Sequence, residues 1–234
     1  MFHQHKLPNG LQLIGESSPQ ARSVAVGFFV RTGSRDETAE VCGVSHFLEH
    51  MAFKGSKRRS ALDVNLDFDR IGADYNAFTS EEATVYYASI LPEYLPQAFD
   101  SVADLLRPVL RQDDFDMEKK VILEEISRYE DQPQSCAFDR AKQAYFGSHD
   151  LGNSILGTPT SIIALTRENM EAYYRRRYNA NNVTMSVGGA FEWAEVVRLA
   201  EKHCSDWPSG ETVRHGLVEA DGAGSLSVVN KPTV

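Results

Sequence analysis

The sequence has few cysteines and no pattern that would use them together. Its 234 residues contain three, Cys42, Cys136 and Cys204, an odd number with wide spacing and no C-x-x-C pair. Disulfide-held domains and cysteine zinc sites normally show even numbers or short spacings. We therefore expect neither kind of site, and a reducing, cytoplasmic location for the protein.

Long apolar runs and an excess of basic residues are also missing. The sequence contains no run of about 18 apolar residues, the length needed to cross a bilayer. Residues 1–16 also lack the apolar core of a secretory signal. The chain carries 33 acidic and 24 basic residues, a net charge of −9. That charge disfavours nucleic acids and anionic membrane surfaces as partners and favours basic or neutral ones. We expect a soluble protein with no nucleic-acid partner and no membrane partner.

The composition, with 42% hydrophobic residues, is sufficient for a substantial core. Strand-like and helix-like segments are mixed without regular alternation, which predicts an α+β fold with a mostly antiparallel sheet packed against helices. We expect one domain over residues 1–215 and a linker, or the start of a missing second domain, over 216–234. The predicted strands lie at 5–16, as two short strands around the turn signal Pro8-Asn9-Gly10, at 23–34, at 75–90 as two strands, and at 181–191. The predicted helices are 41–53, 61–72, 97–110, 114–129, 134–146, 167–177 and 192–205.

Two sequence rules disagree over residues 61–72. The alternation of Leu62, Val64, Leu66 and Phe68 is typical of a strand, whereas Ser60 followed by Asp63 three residues later is a helix-capping pattern. We favour the helix.

The most unusual segment is "GVSHFLEHMAFKG", residues 43–55, which places His46, Glu49 and His50 in an apolar helix. Residues four apart share one helix face, so both imidazoles can reach one metal ion, while Glu49 is a candidate general base. The alternative is that neighbouring polar groups satisfy the two histidines. Burying each polar group without a partner costs about 2–7 kcal/mol, and the surrounding residues are apolar. These residues are Val44, Phe47, Leu48, Met51 and Phe53.

A catalytic zinc site needs a third protein ligand, and the predicted helix 114–129 offers glutamates. Glu124 has Lys120 and Arg128 as helical neighbours, which indicates a solvated position, whereas Glu125 lies beside Val121, Ile122 and Tyr129 and points inward. Glu118 lies on the same face as Glu125 and is either a support for a metal ligand or an exposed surface residue.

The segments "HFLEHMAFKG", "GADYNAFTSEEATVYYA" and "VILEEI" resemble the pitrilysin family (M16) of zinc metallopeptidases. Its members include mitochondrial processing peptidases and insulin-degrading enzymes, and the chain is similar to their bacterial relatives. H-x-x-E-H is the inverted zinc-peptidase motif. The resemblance implies a bound Zn²⁺ with His46, His50 and Glu125 as ligands. It also implies Glu49 as the base and Glu118 as the support for a ligand.

The same resemblance implies how a substrate binds. Residues Asn76, Ala77, Phe78 and Thr79 match an edge strand to which a peptide adds as a further strand, and Glu82 matches an acidic position near the site. The implied function is a zinc-dependent endopeptidase that cleaves peptides or small unfolded proteins.

The family usually pairs this domain with a related second domain, in cis or in a partner subunit. A second copy of the chain is one such partner. The alternatives are an inactive or incomplete subunit that binds peptides, and an interaction domain with structural histidines.

Overall fold

Eight α-helices, five short 3₁₀ turns and one six-stranded sheet make up the part of the chain that the computed structural model describes, residues 1–214 and residue 228. The strands are β1 (Phe2–Lys6), β2 (Gln12–Ser17), β3 (Val24–Val30), β4 (Asp74–Thr79), β5 (Thr84–Ile90) and β6 (Val183–Gly189). The helices are α1 (Val44–Ala52), α2 (Ala61–Arg70), α3 (Leu95–Leu105), α4 (Gln112–Glu130), α5 (Pro133–Phe146), α6 (Pro159–Ala164), α7 (Arg167–Arg177) and α8 (Trp193–Cys204). The predicted linker 216–234 lies outside the described residues, apart from residue 228.

The sheet has the strand order β1-β2-β6-β3-β5-β4. Only the β2–β6 pair among these strands is parallel. The predicted turn at Pro8-Asn9-Gly10 joins β1 to β2, whose pairing runs from Phe2 opposite Glu16 to Lys6 opposite Gln12. The α+β fold with a mostly antiparallel sheet is therefore confirmed, and β4 is an edge strand within the described residues.

Most predicted elements form, and the differences have local causes. Helix α2 has the predicted cap, in which Ser60 Oγ accepts from the Asp63 N–H and Asp63 accepts from the Ser60 N–H. The predicted helix 97–110 ends at Leu105 instead, because Pro108 lacks an N–H and disfavours helical geometry in the residue before it. Helix α6 was not predicted, since its six residues are too few to show helical periodicity.

The three cysteines are free, with Cys204 buried and the other two partly buried. Among the residues described, no helix combines the length and the apolar character that a membrane crossing requires.

Helices α1 and α4 meet through aromatic side chains. Phe47 of α1 is fully buried and stacks on Phe115 of α4, with ring centroids 4.7 Å apart and planes 12° apart. Leu48 and Met51 of α1 are also fully buried. The apolar residues around the histidine motif are thus the contacts that hold α1 to its neighbours.

The start of α1 differs from the prediction, because residues 39–41 form a 3₁₀ turn and the α-helix begins at Val44. Gly43 precedes it with φ of +91°, and a Cβ there would lie 2.7 Å from the Leu156 carbonyl oxygen. Glycine has no side chain that could cap a helix, and the carboxylate of Glu37 caps α1 instead. Its Oε2 accepts from the Gly43 N–H at 2.6 Å and its Oε1 accepts from the Ser45 N–H at 2.7 Å.

The Phe47–Phe115 contact generates a stability prediction. Phe47→Ala removes a fully buried ring and leaves a cavity between α1 and α4, so the free energy of unfolding should fall by about 3–5 kcal/mol. Urea unfolding measures the change. Phe138→Ala is the matched control, because the Phe138 side chain is largely exposed and its loss should change stability by about 0.5 kcal/mol or less. Equal effects of the two substitutions would contradict the packing described here.

The Glu37 cap generates a pH prediction. Burial outweighs the two backbone N–H donors and raises the pKa of Glu37 from 4.5 to about 7. The unfolded chain therefore releases this proton near pH 4.5 while the folded chain retains it, so stability should fall as pH rises from about 4.5 to 7. The contribution is on the order of 3 kcal/mol.

A glutamine at this position does not titrate, so in Glu37→Gln the free energy of unfolding should fall less as pH rises from about 4.5 to 7. Urea unfolding of both proteins at several pH values checks this, with the exposed Glu124→Gln as control. Parallel pH profiles for the wild type and Glu37→Gln would show that Glu37 has no raised pKa.

Candidate metal centre

His46 and His50 lie one turn apart on the same face of α1. Their Nε2 atoms are 3.2 Å apart and their ring centroids are 4.6 Å apart. His46 is buried and His50 is partly exposed. The helix therefore directs two imidazole nitrogens at one small volume, as the i, i+4 spacing predicts.

Glu125 reaches the same volume from α4. Its Oε2 lies 3.7 Å from His46 Nε2 and 3.6 Å from His50 Nε2. Tetrahedral zinc with bonds of about 2.0–2.2 Å requires ligand atoms about 3.3–3.6 Å apart. The three ligand atoms, 3.2–3.7 Å apart, are therefore close to the spacing that a zinc ion requires, and two imidazoles with one carboxylate are a ligand set that zinc accepts. Glu124 is exposed, as its charged neighbours predicted.

The two histidines have different electrostatic surroundings. Burial, together with the neighbouring His50, lowers the pKa of His46 to about 3, which keeps the ring in the neutral form that binds metals. Burial disfavours a charged His50, yet the hydrogen bond from its Nδ1 to Glu118 Oε1, 2.8 Å long, raises its pKa. A metal ion at His50 therefore competes with a proton more strongly than a metal ion at His46 does.

Glu118 supports His50 from the side opposite the ligand position. It is buried, and Lys54 forms an ion pair with its other oxygen. This is the arrangement that orients a metal-binding imidazole and fixes which nitrogen carries the proton. His46 lacks such a partner within the described part of the chain, where its Nδ1 is buried without a hydrogen bond. Sequence reasoning did not find Lys54, which lies in the turn just after α1, four residues after His50.

Glu49 lies beside this cluster and is bound to β4. Its Oε2 accepts from Thr79 Oγ1 at 2.7 Å. Burial raises the pKa of Glu49, which the Thr79 hydrogen bond partly opposes. A carboxylate whose pKa is moved toward neutrality is better matched to proton transfer near pH 7.

A cavity of about 1400 Å³ opens over these residues. It is bounded by α1 and α4, by the Ala77–Phe78–Thr79 segment of edge strand β4, by α5 and by residues 154–159. Because β4 pairs only with β5 among the described strands, the side of β4 away from β5 is without a strand partner. The three candidate metal ligands, the general-base candidate and an edge strand therefore share one groove.

Two predicted substrate residues lie outside the lining of this groove. Asn76 is exposed on β4, and its side chain accepts from the Ala77 N–H. Glu82 follows β4 in the turn, where its half-exposed carboxylate pairs with Arg35 and Arg214. A substrate contact at either residue stays a prediction.

Family models match most of the chain. The model of insulinase, peptidase family M16, matches residues 12–159, and that of the peptidase M16 inactive domain matches residues 164–234. The chain is 40% identical over 193 residues to an uncharacterized zinc protease of Streptomyces coelicolor, covering 82% of this chain and 42% of the relative. It is 34% identical over 231 residues to an uncharacterized zinc protease of Rickettsia felis, covering 98% of this chain and 56% of the relative.

Solved structures share the fold. A protease from Helicobacter pylori superposes with a TM-score of 0.87 at 24% identity, over 92% of this chain and 53% of that protein. The first half of the periplasmic protease PqqL from Escherichia coli superposes with a TM-score of 0.83 at 24% identity, over 93% of this chain and 49% of that chain. The chain thus spans about half the length of the curated relatives described above. From the family models and the identity to these relatives, the chain belongs to peptidase family M16.

Proposed function

We propose that this chain is the metal-binding half of a zinc-dependent endopeptidase that hydrolyses peptides or small unfolded proteins. The observation that carries the proposal is the convergence of His46, His50 and Glu125, whose ligand atoms lie within 4.8 Å of one another, beside Glu49. Family membership supports it, because the relatives at up to 40% identity are named zinc proteases.

In this proposal His46, His50 and Glu125 hold zinc, which as a Lewis acid makes water acidic near pH 7 and polarises a carbonyl group. Glu49 takes the proton of the attacking water on its carboxylate and later delivers it to the leaving amine. Thr79 orients Glu49 through the hydrogen bond to Oε2. Glu118 keeps the proton of His50 on Nδ1, so that Nε2 faces the metal.

Substrate binding uses the edge strand in this proposal. A peptide adds alongside β4, where alternate residues of the segment Asn76, Ala77, Phe78 and Thr79 offer backbone groups on the side without a strand partner. Backbone pairing sets few demands on side chains, which suits a broad range of peptides. The half-exposed Phe78 ring lines the groove and favours an apolar substrate side chain there.

A second half completes the enzyme in this proposal. Relatives are about twice as long as the region they share with this chain, so a homologous domain in cis or a partner subunit, including a second copy of this chain, would close the groove. The competing proposal is a zinc-binding subunit that binds peptides without cleaving them. The position of Glu49 beside the metal ligands, with its pKa raised by burial, favours the active enzyme.

The role of Glu49 can be tested by Glu49→Gln, which keeps the shape of the side chain and removes the base. Peptide cleavage should fall by about 10²- to 10⁴-fold, while the zinc content measured by mass spectrometry stays at one ion per chain. The exposed Glu124→Gln is the matched control and should cleave at the wild-type rate.

Cleavage at the wild-type rate by Glu49→Gln would remove Glu49 from the mechanism. Stoichiometric zinc without cleavage by the wild-type chain, both alone and combined with its second half, would instead favour the inactive subunit. A wild-type chain without bound zinc would overturn the metal site itself.

The role of Glu118 can be tested by Glu118→Gln. The variant loses the negative charge that accepts the His50 Nδ1 proton, so zinc affinity should fall by about 10- to 100-fold. Competition with a chromophoric chelator measures the affinity, again with Glu124→Gln as control. An unchanged zinc affinity would mean that Glu118 only anchors Lys54.

A further inference from the structure

Behind α1, on residues that the proposed reaction does not use, buried polar groups form a continuous series of hydrogen bonds. The series begins at Ser45, the residue before His46, whose Oγ lies 2.7 Å from Tyr173 OH. Tyr173 OH lies 2.7 Å from Thr32 Oγ1, which in turn accepts from Arg177 Nε at 3.1 Å. Ser45, Thr32, Tyr173 and Arg177 are each 4% exposed or less. The series therefore runs entirely inside the protein.

A second branch joins Arg177 to the same serine. Arg177 Nη2 forms an ion pair with Asp36 Oδ1 at 2.8 Å, and Asp36 precedes Glu37 in the chain. Glu37 accepts from the backbone N–H groups of Gly43 and Ser45. One branch thus holds the Ser45 side chain and the other holds its backbone.

The far end of both branches lies at residues 213–214, the last two of the continuous range that the structure describes. Arg214 donates to Asp36 through Nε at 3.0 Å and Nη2 at 2.6 Å, and Nη2 also donates to the Glu82 carbonyl oxygen at 2.7 Å. Arg177 Nη1 donates to the Val213 carbonyl oxygen at 3.2 Å. Two arginines therefore tie residues 213–214 to the buried Asp36 carboxylate.

These contacts supply the directional restraint on α1 that its apolar packing lacks. Burial of Phe47, Leu48 and Met51 favours contact with the core but is not directional, so it defines the rotation of a nine-residue helix only weakly. Hydrogen bonds require defined distances and angles, and metal ligands must be held to within about 0.5 Å of their productive positions. A rotation of α1 that moved His46 and His50 would break the bonds at Ser45.

We propose that the buried network of Thr32, Asp36, Glu37, Ser45, Tyr173, Arg177 and Arg214 positions the two histidines, and that Arg214 couples the metal helix to the segment 213–214. Tyr173 and Arg214 are positioning residues, since neither lines the cavity over the metal cluster. The inference deepens the proposed function, on which it rests.

Two substitutions test the network from opposite ends. Tyr173→Phe keeps the buried ring and removes only the hydroxyl shared by Thr32 and Ser45. Arg214→Gln removes the bidentate contact with Asp36.

Each substitution has a neighbouring control. Tyr174→Phe removes a hydroxyl that donates to the Leu106 carbonyl oxygen, outside the network. Arg175→Gln removes a largely exposed arginine that pairs with Glu171.

Hydrogen exchange of residues 44–52 in the metal-free chain is measured first, because it reports on α1 without requiring metal. Exchange should become about tenfold faster in Tyr173→Phe and Arg214→Gln and stay at the wild-type rate in both controls. The second measurement is metal binding, by chelator competition for zinc and by the absorption spectrum of the Co²⁺ form. Both variants should bind about tenfold more weakly, with a shifted Co²⁺ spectrum.

Wild-type exchange of residues 44–52 in Tyr173→Phe would overturn the network as a positioning device. So would a lowered melting temperature with unchanged exchange in α1 and an unchanged Co²⁺ spectrum, because that result indicates a purely structural role. A wild-type chain that binds neither metal would overturn the proposed function, and exchange in α1 would then decide whether the network positions the helix.

Discussion

The contact between α1 and α4 determines whether this chain has a metal site. Two imidazoles belong to one helix and the carboxylate to the other, and the stacked rings of Phe47 and Phe115 hold these helices together. The result is a set of ligand atoms 3.2–3.7 Å apart. Such a cluster of polar groups is costly inside a protein unless each group has a partner. The proposed metal would be that partner, and Glu118 already partners one imidazole.

Around this contact the polar groups are held by directional bonds. Glu49 is tied to edge strand β4 through Thr79, so the candidate base and the substrate strand keep a defined separation. Glu37 replaces the capping side chain that Gly43 cannot supply. The buried network continues from there to Arg214. Apolar packing thus brings α1 to its neighbours, while hydrogen bonds fix its orientation.

The groove follows from the sheet order. Strand β4 ends the sheet, and α1, which carries the histidines, lies next to it. An edge strand normally needs protection from pairing with other chains, and here the exposed edge borders the metal cluster. The proposed use of that edge for peptide binding accounts for its exposure, and a second half would cover it. The chain shares its fold with about half of the Helicobacter pylori protease and about half of the first half of PqqL.

Local patterns in the sequence were sufficient for the elements and for part of the site. The capping pair Ser60 and Asp63, the turn at Pro8-Asn9-Gly10 and the spacing of His46 and His50 depend on residues a few positions apart, so the sequence by itself determined them. The choice of Glu125 over Glu124 also followed from helical neighbours. Only the tertiary structure decided that Glu125 and Glu118 reach the histidines, that Glu37 caps α1 and that Arg214 joins the network. These contacts connect residues far apart in the chain, and their distances depend on how whole helices pack rather than on any local spacing.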